Sequence, residues 1–144
     1  MSMSTDIRVY KVEDFIRFNE SGDIDFDRSM QLIHKIGEMA ALHPGHNILL
    51  DLRKTTLVGE ANIGMILKLS LEIVRYGSSL RGWIANVVPD DPKRLLIAKQ
   101  FEMTMQLRGF KLQVFTNFED AIDWLSEITE AGASDQAEYP SESS

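Results

Sequence analysis

The chain has no cysteine among its 144 residues. Disulfides, thiolate nucleophiles and cysteine-held zinc are therefore excluded. Long apolar runs are also missing. Lys, Glu or Gly interrupts each one well before membrane-spanning length, so no stable membrane insertion is expected. The opening "MSMSTDIRVYKVED" has no basic segment followed by an apolar stretch. A secretory signal is not expected there, and a cytoplasmic location is the default. Basic residues are few: 15 Lys and Arg stand against 22 Asp and Glu, for a net charge of −7. Nucleic acid is not an expected partner, because phosphate contacts need clustered cations.

Catalytic signatures are lacking as well. There is no G-x-S-x-G elbow, and Gly59 and Gly64 stand alone rather than in a phosphate-cradling G-K-[ST] or G-x-G-x-x-G pattern. The three histidines are His34, His43 and His46. Two of them share "LHPGH", but spacing fixes no third His or acid beside them, so the segment reads as a turn rather than a metal site. No catalytic residue, metal or cofactor is assigned, and the chain is not expected to be an enzyme.

What is present is a regular alternation of patterns. Ile7 to Lys11 and Phe15 to Phe18 are short runs near period two, separated by "VED", and predict a β-hairpin. From Phe26, apolar residues at Met30, Ile33, Ile36 and Met39 have helical spacing, which "HPGHN" ends. Asn47 to Leu52 is a continuous apolar strand. A helical stripe follows from Glu60 or Ala61 through Ile63, Ile66, Leu67, Ser70, Ile73 and Val74, ending near Tyr76-Gly77. Arg81 to Val88 predicts a strand, and Pro92 opens a helix that ends at Gly109. Leu112 to Phe115 predicts the last strand, and Thr116 or Asn117 caps a final amphipathic helix. The order β-β-α-β-α-β-α-β-α predicts an α/β fold with a mixed central sheet and four helices packed on it. Residues 1–129 form one domain in this reading. Residues 130–144 are small, polar and acidic and form a disordered tail; without their four acids the net charge is −3.

This order, the strand "ILLDL" and the ending "LQVFTNFEDAIDWLSE" resemble the STAS family of anti-sigma-factor antagonists and the wider SpoIIAA-like superfamily. Val114, Phe115, Glu119, Ala121, Trp124 and Leu125 stand where that family has its closing strand and helix. The likeness runs from about Ile7 to Glu127. It implies a regulatory, protein-binding module whose partner is an anti-sigma factor or a kinase-like regulator. In switchable members a D-S-x-G loop follows the strand, and its Ser is phosphorylated. Here Gly59 stands for that Asp, Glu60 for the Ser and Asn62 for the Gly, while Asp51 matches the Asp at the strand end. The resemblance thus implies a partner-binding loop without the usual phosphoserine switch.

Asp51, Thr55, Thr56, Gly59, Glu60 and Asn62 are accordingly the expected switch-loop residues. A carboxylate at Glu60 suits the positive end of a helix, and partly mimics a phosphorylated state. Thr55 and Thr56 suit a strand end, and Asp51 is expected to anchor the loop by accepting backbone N–H bonds. The strand "ILLDLR" is also similar to the phosphoacceptor strand of response-regulator receiver domains. The N-terminal hairpin, the missing Met-Pro after Asp51 and Thr116-Asn117 in place of Lys-Pro argue against that family. The helix "RLLIAKQFEMTMQLRGF" has a wide apolar band, with Phe101, Met103 and Met105 as the expected exposed apolar surface. That band suits a partner, a second copy of the chain as a homodimer, or an apolar ligand. A small-molecule or lipid-binding SpoIIAA-like domain is the alternative reading.

Overall fold

A computed structural model describes residues 4–10, 15–80 and 82–126. The elements are β1 (Ser4–Tyr10), β2 (Phe15–Ile24), α1 (Phe26–Leu42), β3 (Asn47–Leu57), α2 (Ile63–Val74), β4 (Trp83–Val87), α3 (Pro92–Leu107) and β5 (Lys111–Phe115). A last helix, α4, covers residues 118–126. The predicted hairpin turn "VED" and the acidic tail lie outside the described residues.

The sheet order is β1-β2-β3-β4-β5. Only β1 and β2 pair antiparallel; β2 to β5 form a parallel set, so the sheet is mixed as the element order predicts. Because the strands follow in sequence, crossovers of one hand put every connecting helix on the same face. α1, α2 and α3 thus pack as one layer over Ile16, Phe18, Ile48, Ile84, Leu112 and Val114. The opposite face receives α4, whose Ala121 and Leu125 pack on Phe15, Leu49, Ala85 and Val87. Neighbouring residues such as Ile48 and Leu49 serve opposite cores because side chains alternate along a strand.

Local chemistry sets the helix starts. Asp25, Asn62 and Asp91 each cap a helix by accepting the backbone N–H three residues on, and Pro92 occupies the first turn of α3. The Asn117 carboxamide accepts from Asp120 N at 2.8 Å and caps α4. The free edge at β5 is covered from α3. Glu102 accepts from Val114 N at 2.6 Å, and Gln106 donates to Leu112 O at 2.9 Å. These side chains occupy backbone groups that would otherwise be open to another strand.

Two strands are longer than the apolar pattern predicts. β2 continues through "NESGD", and β3 continues through "RKTTL". β3 pairs with β4 only as far as Asp51, whereas its pairing with β2 runs on to Leu57. Residues 52–57 therefore extend beyond the main sheet, where polar side chains are tolerated. No helix among the described residues is long and apolar enough to cross a membrane.

Candidate functional site

The segment joining β3 to α2 leaves the sheet at the carboxyl end of the parallel strands. Val58, Gly59, Glu60, Ala61 and Asn62 are all exposed. Gly59 has φ +80°, a left-handed conformation that residues with a Cβ adopt only at a cost. Asn62 Oδ1 accepts from Met65 N at 3.0 Å, which makes Asn62 the N-cap. Glu60 therefore lies two residues before the cap and not in the first helical turn, which contains no acid. The sequence places the carboxylate inside the helix start, but the neutral Asn62 takes that role by satisfying a free backbone donor.

Asp51 departs further from expectation. It sits in mid-strand, and because Leu50 and Leu52 face the three-helix layer, Asp51 points to the α4 side, away from the α2 loop. Its carboxylate accepts from Arg53 Nε at 2.9 Å, Arg53 Nη2 at 2.7 Å and Arg53 N at 3.2 Å, and it faces Arg17 Nη2 at 3.4 Å. Both guanidinium groups lie over the Phe118 ring of α4, at 4.3 and 5.5 Å from its centroid. Burial alone would raise the Asp51 pKa. The hydrogen bonds from Arg53 and the charges of Arg53 and Arg17 outweigh it, and the net value is below the ordinary carboxylate range. Asp51 thus anchors α4 to the sheet instead of anchoring the loop.

The two threonines separate by the same alternation. Thr56 is exposed, but Thr55 is buried. The Thr55 hydroxyl donates to Leu52 O at 2.7 Å and accepts from Arg94 Nη2 at 2.9 Å, while Arg94 Nη1 donates to Thr55 O at 3.0 Å. Burial lowers the Arg94 pKa, with the Asp91 carboxylate opposing the shift. This bond ties the first turn of α3 to the projecting end of β3.

Continuing from the loop, α2 presents an apolar stripe to solvent. Ile63, Leu67, Leu71 and Val74 are 57, 41, 52 and 40% exposed, and Val58 extends the stripe into the loop. Ile66, Ser70 and Ile73 form the buried face of the same helix. On α3 the expected surface divides: Met103 is exposed, Met105 is fully buried and Phe101 is half-buried. Position 105 turns inward to the core with Ala98, seven residues earlier.

Between the sheet and the three-helix layer lies a cavity of about 150 Å³. Its walls are almost wholly apolar and include Ile33, Ile36, Leu50, Ile66, Ile73 and Phe101. Ser29, Asn86 and Arg94 supply the polar atoms. Among the described residues no group of three or more His, Asp or Glu is placed to hold a metal. His43 and His46 have ring centroids 5.3 Å apart, and His34 Nδ1 lies 2.6 Å from Tyr76 Oη.

Sequence reasoning missed Arg17, Asn86, Arg94 and Phe118. Arg53 was missed as well, although its two-residue spacing to Asp51 was a signal that could have found it, as the polar residue within a buried strand pattern was for Asn86. Arg17 and Arg94 required the strand register and a contact 39 residues apart.

No protein-family model matches the chain, and no curated protein matches its sequence. Solved structures do match. One is an anti-sigma factor antagonist from Mycobacterium paratuberculosis, at 16% identity, covering 86% of this chain and 94% of that one, with a TM-score of 0.52. Another is a DUF3478-family protein with a SpoIIAA-like fold from Shewanella loihica PV-4, at 17% identity, with the same coverages and a TM-score of 0.55. Likeness at this level of identity speaks to architecture, and the chain has the SpoIIAA-like fold.

Proposed function

We propose that this chain is a non-enzymatic regulatory module that binds a protein through the 58–62 loop and the outer face of α2. The observation that carries the proposal is the stripe of Ile63, Leu67, Leu71 and Val74, which leaves a contiguous apolar face uncovered. A helix with apolar residues at this spacing is suited to helix-in-groove contact with a partner. The likeness in fold to an anti-sigma factor antagonist favours an anti-sigma factor or a kinase-like regulator as that partner. The loop has no hydroxyl between Val58 and Asn62, and Thr55 is buried with both polar groups engaged. These features support a constitutive form, without a phosphoserine switch and with Glu60 as its fixed negative charge.

The test is affinity capture from the source organism, with quantitative mass spectrometry. Wild type is expected to retain a partner that Glu60→Lys weakens and the Leu67→Ser/Leu71→Ser pair loses. Equal capture by all three would remove this surface from the proposal. If the captured species is the chain itself, light scattering will show a dimer, and the face is then an interface between copies. Intact-mass measurement is expected to find no phosphate; phosphate on Thr55 or Thr56 would overturn the constitutive form.

A second reading is favoured by the cavity. Its apolar walls suit a small apolar molecule, as expected of a ligand-binding SpoIIAA-like domain.

A further inference from the structure

The two edges of the sheet are treated differently. At β5 the outward backbone groups are occupied by Glu102, which accepts from Val114 N, and Gln106, which donates to Leu112 O. At the other edge β1 pairs with β2 alone, and among the described residues no strand lies on its far side. An edge strand left in this state is a template for another strand.

The sequence of β1, "STDIRVY", restricts what that strand can be. Laid antiparallel on a second copy of itself about Ile7, Asp6 stands across from Arg8 of the second copy, and Arg8 from Asp6. Ile7 then faces Ile7, and Thr5 faces Val9, which are β-branched pairs suited to a sheet. All of Ser4–Tyr10 is used. Moving the centre to Asp6 opposes two aspartates, and moving it to Arg8 opposes two arginines. Like charges directly opposite one another destabilise a strand pair. Within the chain the register also sets Arg8 opposite Arg17, a like-charge pair that a carboxylate from a second copy would offset. Charges on an edge ordinarily deter a second strand. Here they favour a single self-pairing register.

We propose that two copies of this chain join through β1, antiparallel about Ile7, so that their five-stranded sheets become one continuous sheet. The contact is isologous, since each copy offers the same seven residues. Its two-fold axis is normal to the sheet and keeps both three-helix layers on one side. The α2 faces of the two copies then point the same way, which would give avidity for a partner with two matching sites.

The experiment is light scattering of the full chain over a concentration series, for wild type, Asp6→Arg, Arg8→Asp, the double exchange Asp6→Arg/Arg8→Asp, and an equal mixture of the two single variants. Wild type is expected to dimerise, and each single variant to dimerise at least about tenfold more weakly, because both symmetric pairs become like-charged. The double exchange and the mixture restore opposite charges at both pairs and are expected to recover the wild-type dimer. Wild type that stays monomeric at every concentration would overturn the proposal. So would equal dimerisation by both single variants, or a failure of both the double exchange and the mixture to recover it. A dimer lost from Leu67→Ser/Leu71→Ser but kept by the β1 variants would move the interface to α2 and also overturn it. Circular dichroism checks that each variant is folded, and the wild-type series is decisive for the first outcome even where one is not.

Discussion

On the α4 side of the sheet, Asp51 is held by the Arg53 side chain and backbone, with Arg17 beside it and Phe118 beneath both guanidinium groups. On the three-helix side, Asn86 stands in an apolar wall with its carboxamide oxygen unpaired. Both are buried polar residues in central strands, yet only Asp51 is accounted for by the fold. The architecture accounts for the saturated Asp51 carboxylate, whereas it leaves the Asn86 oxygen unpaired at a position where an apolar residue would fit. Asp51 drew attention in the sequence, but its chemistry is spent within the molecule.

The largest expected effect comes from breaking the saturated side. Asp51→Ala leaves Arg53 and Arg17 without their anion and is expected to cost about 2 kcal/mol in urea unfolding. The opposite sign is expected across the sheet. Asn86→Val removes an unpaired buried group and should raise the stability of the ligand-free protein by about 1 kcal/mol. A loss there would make Asn86 structural and erase the contrast between the faces.

A subtler change sharpens the Asp51 side through pH. Its folded pKa is lowered, so its carboxylate stabilises the fold above the unfolded value of about 3.9 and loses that contribution as pH falls through the folded value. Asp51→Asn should therefore be destabilising at neutral pH, by about 1 kcal/mol, with the penalty fading below about pH 4. A penalty constant from pH 7 to pH 3 would show that the charge does not matter. The smallest stability effect belongs to the exposed stripe. Leu67→Ser and Leu71→Ser are each expected to change unfolding free energy by no more than about 0.5 kcal/mol.

The element order was readable because the apolar period switches between two and 3.6 along the chain. The mixed sheet followed from the hairpin and the later alternation. The far half of β3 was not readable from a continuous apolar run, because residues 52–57 pair on one side only and alternate between buried Thr55 and exposed Lys54 and Thr56. The same alternation, applied strictly to "LLDLR", would have placed Asp51 opposite the α2 loop. Met105 and Met103 looked equivalent as apolar residues, but the turn of α3 sends one into the core and the other into solvent. The Asn62 cap displaced Glu60 from the helix because only a cap side chain reaches the first free N–H groups. The exposed face of α2 was not legible, because the single stripe read from the sequence joins Ile63, Leu67 and Val74, which the structure exposes, to Ile66, Ser70 and Ile73, which it buries.

The most direct test of the proposed function compares the two faces in one capture experiment. Wild type, Leu67→Ser/Leu71→Ser on α2 and Asp123→Asn on α4 are used to capture partners at equal protein concentration, and the bound species are quantified by mass spectrometry. A protein partner retained by wild type and Asp123→Asn but lost from the α2 pair is the predicted result. Retention by the α2 pair at the wild-type level would contradict the assignment of that face.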